Sequence, residues 1–434
     1  MKNKSAPGAI LGLGVLLLTC CLASALHAAI SETGVEDANL AGFDRLMREF
    51  MAENHVPGAE LAVARHEKLV YARGFGLADT ATHQPVEPTS LFRIASITKP
   101  FTAVAILQLV EQGKLKLNDR PFQMLGLVPY LEPGAKVDKR IYRITVEELL
   151  HHRGGFDRDK SFDPMFDSVH IARALHVQPP ANQEAIIRYM MGRPLDFEPG
   201  TREVYSNFGY CVLGRVIERV SGQRYDQYVR DHVLAPLRIR DMRLGHTLLN
   251  ERFPSEVHYY DLQNRTGSSV FPPTIGKQVP LPYGAWDIEA MDSHGGWIAS
   301  AVDLVRFGSS LNNRNNCPIL HASSIETLFS RPRLGADEKP PKPENPFYAC
   351  GWEVRPVGKG RVNTWHNGAL DGTSTLLVRR FDGLTWGVVF NTRSNPQGKD
   401  LSGLIDGKLH KVADEVKKWP DHDLFGKFLG PAAR

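Results

Sequence analysis

The amino-acid sequence predicts an α/β (α+β) fold: one antiparallel sheet flanked by helices and built from both ends of the chain, with an all-helical domain inserted between them. Three observations carry this. Helix and strand patterns open the chain, helical patterns fill its middle, and strand patterns followed by a helix close it. On that order residues 33–114 and 289–425 form the two parts of the α/β domain and 115–288 the mainly helical insertion.

The first residues stand apart. Lys2 and Lys4 form a positive start, Ala9 to Leu22 is an apolar run, and Ala23-Ser24-Ala25 offers a small-residue cleavage site, so residues 1–25 read as a signal peptide of an exported chain. The run is short for a bilayer span, although the same segment kept uncleaved would act as an anchor. Thr19 and Cys20 stand where a small residue normally precedes a lipidated cysteine, so lipidation at Cys20 or Cys21 is not expected. After cleavage the protein is expected in the periplasm or outside the cell, with no strong membrane binding.

Glu36 to His55 carries Leu40, Phe43, Leu46, Met47, Phe50 and Met51 at helical spacing and ends at Pro57-Gly58. Ala59 to Ala64 and Lys68 to Arg73 then read as a hairpin around His66-Glu67. Phe101 to Val110 is apolar almost all round before Gly113, the mark of a helix buried on most sides. In the middle, Thr145 with Glu148 has capping-box spacing, and Phe208 to Val220 is a helix closed by Gly222. Ala301 to Leu311 follows a cap at Ser300 with Asp303. Tyr348 to Val354, Arg361 to His366, Thr373 to Arg379 and Leu384 to Asn391 read as strands of a meander, and Leu401 to Trp419 as the closing helix. The Pro- and Lys-rich stretch from Arg331 to Pro346 reads as an exposed loop.

The 434 residues are 42% hydrophobic and 23% charged, which excludes disorder, a collagen and a disulfide mini-scaffold. With 52 basic against 48 acidic residues and no dense basic run, nucleic acid is not an expected partner. Cleavage leaves Cys211, Cys317 and Cys350; Cys211 lies in an apolar helical pattern, leaving Cys317 with Cys350 as the candidate disulfide. No Cys-x-x-Cys or zinc-type Cys/His spacing occurs, and His151, His152 and Glu148 lack further ligands, so no metal and no cofactor are expected.

The nucleophile-elbow spacing Gly-x-Ser-x-Gly is absent. Ser96-Ile97-Thr98-Lys99 offers another solution: residues three apart share a helical face, so the Lys99 amine can reach the Ser96 hydroxyl as its base. Pro100 is tolerated in that first turn. Alone the signal is weak, because Ser-x-x-Lys arises by chance about once or twice in a chain of this length. Tyr205-Ser206-Asn207 sits between the turn Pro199-Gly200 and a helix, where Tyr205 and Asn207 can point to one side, a phenol to pass a proton and an amide to hold a carbonyl or Lys99. The competing reading makes Tyr205 a packing residue and Asn207 a helix N-cap. His366-Asn367-Gly368 ends a strand pattern, but His152-Arg153-Gly154 and His294-Gly295-Gly296 share its spacing. Arg93 and Asp371 read as structural ion-pair or turn residues.

In that order the three motifs resemble those of the class C β-lactamase and D-Ala-D-Ala peptidase superfamily. So do Phe92 to Thr102, Leu149 to Gly155, Gly351-Trp352 and the Ala369 that follows Gly368. The resemblance implies Ser96 as the acylated nucleophile, Lys99 and Tyr205 as the shared acid/base pair, and Asn207 as an anchor for substrate and lysine. It places His366 and Gly368 on the substrate-binding strand and pairs the Ala369 amide with that of Ser96 as an oxyanion hole. Many members carry Lys where His366 stands, and histidine gives no fixed cation at neutral pH, which favours ester or peptide substrates over β-lactams. The separate deacylating glutamate of class A enzymes is not evident; Glu203 lies inside the tyrosine motif. The expected function is hydrolysis of an ester, amide or β-lactam bond in a small molecule or peptide. The alternative is a penicillin- or wall-binding module on the same fold that turns over slowly or not at all.

Overall fold

The computed structural model describes residues 30–334 and 340–429; the expected signal segment, residues 1–25, lies outside them. The elements that position the site begin with β1 (Glu32–Gly34), α1 (Ala41–Asn54), β2 (Gly58–Arg65), β3 (Lys68–Asp79), β4 (Phe92–Arg93) and α2 (Thr98–Glu111). The middle contributes α3 (Gln183–Met191), α4 (Asn207–Ser221) and β5 (Arg243–Leu244). Then come β6 (Trp297–Ala299), α5 (Ala301–Ser310), β7 (Phe347–Tyr348), β8 (Glu353–Pro356), β9 (Val362–Leu370), β10 (Thr373–Arg379), β11 (Leu384–Phe390) and α6 (Leu401–Glu415).

The two chain ends meet in one nine-stranded antiparallel sheet of order β1-β3-β2-β11-β10-β9-β8-β7, with Gln84–Pro85 paired to β3. The joining seam is β2 against β11, from Ala59 opposite Phe390 to Arg65 opposite Leu384. The hairpin turns on His66 and Glu67, at φ 47° and 66°, the left-handed pair that a two-residue hairpin loop demands. Every residue of β10 and β11 is buried, so both faces of the sheet centre are covered. α5 packs over β2 and β11, and α1 packs against α6.

α2 is buried from Thr98 through Leu109, which accounts for an apolar pattern without a polar face. Both expected capping boxes are made: Thr145 with Glu148, and Ser300 with Asp303 at the start of α5. Between residues 115 and 288 lie α3, α4 and several shorter helices, and from β5 onward short strands: β5 joins β4 and β6 in a second sheet, and Thr266–Ser268 pairs with Gln278–Pro280.

Three expectations need correction. Tyr348 to Val354 is not one strand but the hairpin of β7 and β8, because Gly351 turns the chain at φ 75°, where an added Cβ would lie 2.9 Å from the Lys99 carbonyl. β9 runs on past His366 to Leu370, so the His-Asn-Gly stretch lies within the strand rather than after it. Cys317 and Cys350 are free thiols, not a disulfide: Cys350 is buried with its Sγ 3.5 Å from His151 Nε2, and Cys317 is half-buried. Among the described residues no helix is long and apolar enough to cross a membrane.

Candidate active site

Ser96 does not lie in the regular helix but on the tight 3-10 turn Ala95–Ile97 that leads into α2. Ala95 takes φ 47°, a left-handed conformation that costs a residue with a Cβ about 1 to 2 kcal/mol. Neighbouring backbone holds it there. Ile94 N donates to Trp297 O at 3.0 Å, and the Ile94 carbonyl accepts from Thr375 Oγ1 at 3.0 Å. From below, β9 presses on the turn at Gly368, where any Cβ would lie 2.1 Å from Ile94 O. The glycine of the His-x-Gly stretch is therefore required by this close approach of strand to turn.

Lys99 is fully buried, and its Nζ has three oxygen neighbours: Asn207 Oδ1 at 2.9 Å, the His294 carbonyl at 3.0 Å and Ser96 Oγ at 3.0 Å. The amide and peptide oxygens can only accept, so each takes an N–H. In its neutral form the amine has two N–H groups and one lone pair, so with both N–H groups on those oxygens the lone pair is left for the hydroxyl of Ser96. Burial pushes the lysine well below its usual value, with Asp163 opposing that shift and Arg158 adding to it. The Nζ sits 4.6 Å from the centre of the Tyr205 ring. Burial raises the Tyr205 phenol, while its hydrogen bond with Ser96 acts the other way. Ser96 thus touches the lysine on one side and the phenol on the other, a geometry that can take up and return a proton.

The N-cap of α4 is Ser206, whose side chain accepts from Gly209 N, and not Asn207. Asn207 is instead the first helical residue. Its Oδ1 faces Lys99, and its Nδ2 donates to Asp163 Oδ2 at 2.7 Å.

His366 is buried at 2% exposure, with Nε2 3.0 Å from Tyr348 Oη and Nδ1 2.6 Å from Asn367 O. Burial and the nearby Lys99 lower it to about 3, so the ring is neutral. A cavity of about 380 Å³ opens beside Ser96, lined among others by Asp163, Phe166, Asn207, His294 and Ala369. His366 is not part of that lining; its neighbour Ala369 is.

His152 packs at a tilt among Tyr205, Tyr348 and Tyr210 at 4.4, 4.3 and 5.2 Å, its Nδ1 accepting from Ser206 N. It packs behind the tyrosine motif. Arg93 is structural: it donates to the carbonyls of Pro282 and His246 and lies 3.8 Å from Glu256. Asp371 pairs with Arg265 at 3.0 Å and also reaches the cavity. Among the described residues His246, Glu251 and Glu289 bring ligand atoms within 4.8 Å of one another, but none of the three lines the cavity beside Ser96.

The sequence alone did not single out Asp163, Arg158, Phe166 or the backbone carbonyl of His294. Asp163 stands before Pro164 and caps the short turn Pro164–Phe166, so it reads as a turn residue. A backbone carbonyl carries no side-chain signature at all.

The Beta-lactamase family model matches residues 43–407. The chain is 27% identical over 397 residues to Penicillin-binding protein 4* of Bacillus subtilis (strain 168), covering 88% of this chain and 80% of that protein. It is 26% identical over 335 residues to Protein flp of Staphylococcus aureus (strain MW2), where it covers 77% of this chain and only 59% of the relative. Among solved structures, D-amino acid amidase from Ochrobactrum anthropi SV3 superposes with a TM-score of 0.64 at 19% identity, over 88% of this chain and 99% of that one. At that identity the likeness shows the shared fold.

Proposed function

The chain belongs to the Beta-lactamase family, and from that premise we propose that it is an exported serine hydrolase cleaving an ester or amide bond through a covalent acyl-Ser96 intermediate. One observation carries the reading: the buried Lys99 Nζ lies 3.0 Å from Ser96 Oγ and is held there by Asn207 Oδ1 at 2.9 Å and the His294 carbonyl at 3.0 Å.

Ser96 Oγ attacks the substrate carbonyl while its proton passes to Lys99. The carbonyl oxygen becomes an oxyanion held by the amides of Ser96 and Ala369. That charge is stabilised best by donors already in place in a site closed to water. The Lys99–Tyr205 pair returns the proton to the leaving alkoxide or amine, and the carbon–leaving-group bond breaks. A water molecule, deprotonated by the same pair, then attacks the acyl carbon and releases Ser96 with a carboxylic acid. Asn207 keeps Lys99 aimed throughout, and Gly368 lets β9 bring Ala369 up to the turn.

Position 366 bears on substrate choice by the charge it does not supply. A neutral imidazole, bonded to Tyr348 and Asn367, supplies no fixed cation for a substrate carboxylate, so esters and amides rank above β-lactams. Export rests on the charge, apolar run and small residues of segment 1–25.

A fluorescent fluorophosphonate tests the reading. Wild-type protein is expected to label at Ser96, and Ser96→Ala to fold and stay unlabelled, because one hydroxyl on a turn contributes little buried area. Labelling retained in Ser96→Ala overturns the assignment. Penicillin labelling that is never released, together with no turnover of a short-chain aryl ester, points instead to the wall-binding module without turnover.

A further inference from the structure

The amide of Asn207 is used at both ends. Its oxygen accepts from Lys99 at 2.9 Å, and its nitrogen donates to Asp163 Oδ2 at 2.7 Å. The opposite orientation would set an NH2 against the lysine N–H groups and a carbonyl against a carboxylate, so the polarity is fixed. The donor that could otherwise hold a substrate carbonyl is therefore committed to Asp163. What this wall offers a ligand is the carboxylate.

Asp163 lines the same cavity as Ser96 and is itself held in place, with Oδ1 accepting from Met165 N at 3.2 Å. A carboxylate has about four lone-pair positions, and these two contacts leave capacity facing the cavity. Of the two arginines of the lining, Arg393 faces Asp371 at 3.7 Å and Asp400 at 3.9 Å, while Arg158 stays beside Tyr205, its guanidinium 5.0 Å from the ring centre. From Ser96 Oγ, Asp163 is reached through two side chains, Lys99 and Asn207. A substrate whose carbonyl sits on Oγ therefore places its acyl portion in the cavity that Asp163 lines.

We propose that Asp163 makes the acyl side of this cavity a subsite for a cationic nitrogen, so that the enzyme prefers amides and esters of free α-amino acids to the same compounds N-acylated. The inference rests on the acyl-Ser96 reading and narrows its substrate class. N-acylation removes the positive charge and turns a carbonyl oxygen toward a carboxylate, while the amide that could have bound that oxygen is already taken. The acylamino side chain of penicillins meets the same obstacle.

The test compares kcat/KM for D-alanine p-nitroanilide and N-acetyl-D-alanine p-nitroanilide. The free amine is expected to be preferred by about tenfold or more at pH 7, as for a charge-assisted contact in a half-buried site. The preference should decline as pH rises through the amine's own pKa of about 8. Asp163→Asn should bring the ratio near unity, and Asp163→Glu should keep part of it. A ratio is read because slackening of Asn207 slows both substrates alike, and the wild-type pH series needs no variant to fold. Equal or better turnover of the acetylated compound, an unchanged ratio in Asp163→Asn, or no turnover of the free-amine anilide by protein that labels at Ser96 overturns the inference. Failure to label at Ser96 is a failure of the acyl-enzyme reading itself.

Discussion

The loop His294-Gly295-Gly296 and the strand segment His366-Asn367-Gly368 share a spacing, and both end up beside Lys99, yet they serve it in opposite ways. The loop gives Lys99 a backbone carbonyl and its histidine lines the cavity. The strand gives the Ser96 turn a glycine-sized space and turns its histidine inward to Tyr348. Imidazole chemistry is central to neither. What matters is the backbone: an acceptor that fixes two of the lysine's directions together with Asn207, and a close approach that a side chain would block. His-x-Gly is a good marker of position here and a poor marker of role.

The comparison breaks most visibly at the lysine both segments serve. Lys99→Ala is expected to slow acylation about 10²- to 10⁴-fold, the usual range for losing a positioned base, measured as the rate of fluorophosphonate labelling at saturating probe. A loss below tenfold would mean that neither segment's contact with Lys99 bears on catalysis.

Next comes glycine against glycine. Gly368→Ala places a methyl 2.1 Å from Ile94 O and 2.4 Å from Thr375 Oγ1, both on parts that hold the Ser96 turn. Overpacking of this kind costs about 1 to 3 kcal/mol, and here it also shifts Ser96 relative to Lys99. Gly296→Ala, at the matching position of the loop, meets Ile288 O at 2.8 Å and Asp292 Cα at 3.0 Å, a milder crowding that falls on neither Ile94 nor Thr375. Urea unfolding and labelling rate of the two variants should separate them clearly; equal effects would remove the distinction between strand and loop.

Much of this was legible from residues alone, because the signals were local. The two-residue hairpin, the capping boxes and the all-round apolar α2 each depend on neighbours within a few positions. Ser-x-x-Lys is legible for the same reason: three residues fix its geometry. Asp163 and the His294 carbonyl were not, since their meaning comes from contacts to Asn207 and Lys99 that are remote in sequence. The break of the expected strand at Gly351 has a local part, the positive φ of a glycine, and a remote one, the Lys99 carbonyl of α2 that lies 2.9 Å from where a side chain would begin.

The imidazoles themselves set a pH dependence. His366 titrates at about 3 and His151 at about 4 in the folded protein, against about 6.5 unfolded. Their folded values are depressed, so between those limits the unfolded chain binds more protons and stability falls as pH falls. It should be full above about pH 6.5 and decline steadily toward pH 4 in thermal melts. His294 and His152 are shifted in the same direction by burial and by Lys99, so both segments under comparison contribute. His366→Gln should flatten the slope; a melting temperature constant from pH 7 to pH 4.5 would contradict neutral buried rings.

The smallest expected effect discriminates best between loop and strand. A lysine at 294 places its charge on the cavity wall beside Ser96, where attraction for a substrate carboxylate about 4 Å away is worth on the order of 1 to 4 kcal/mol. Burial pushes the neighbouring Lys99 amine well below its usual value, which limits its repulsion. His294→Lys is therefore expected to raise the turnover of an anionic ester relative to a neutral one several-fold. Both histidines are 2% exposed, so either lysine costs stability, but one at 366 would point to the space now filled by the ring between Tyr348 and Asn367, off the cavity, so His366→Lys should move the ratio less. The family resemblance, in which lysine is common at that strand position, implies the reverse order. If His366→Lys shifts the ratio and His294→Lys does not, then the strand segment faces the substrate after all. The inward hydrogen bonds of His366 would then have to be exchanged for substrate contacts when the cavity is filled.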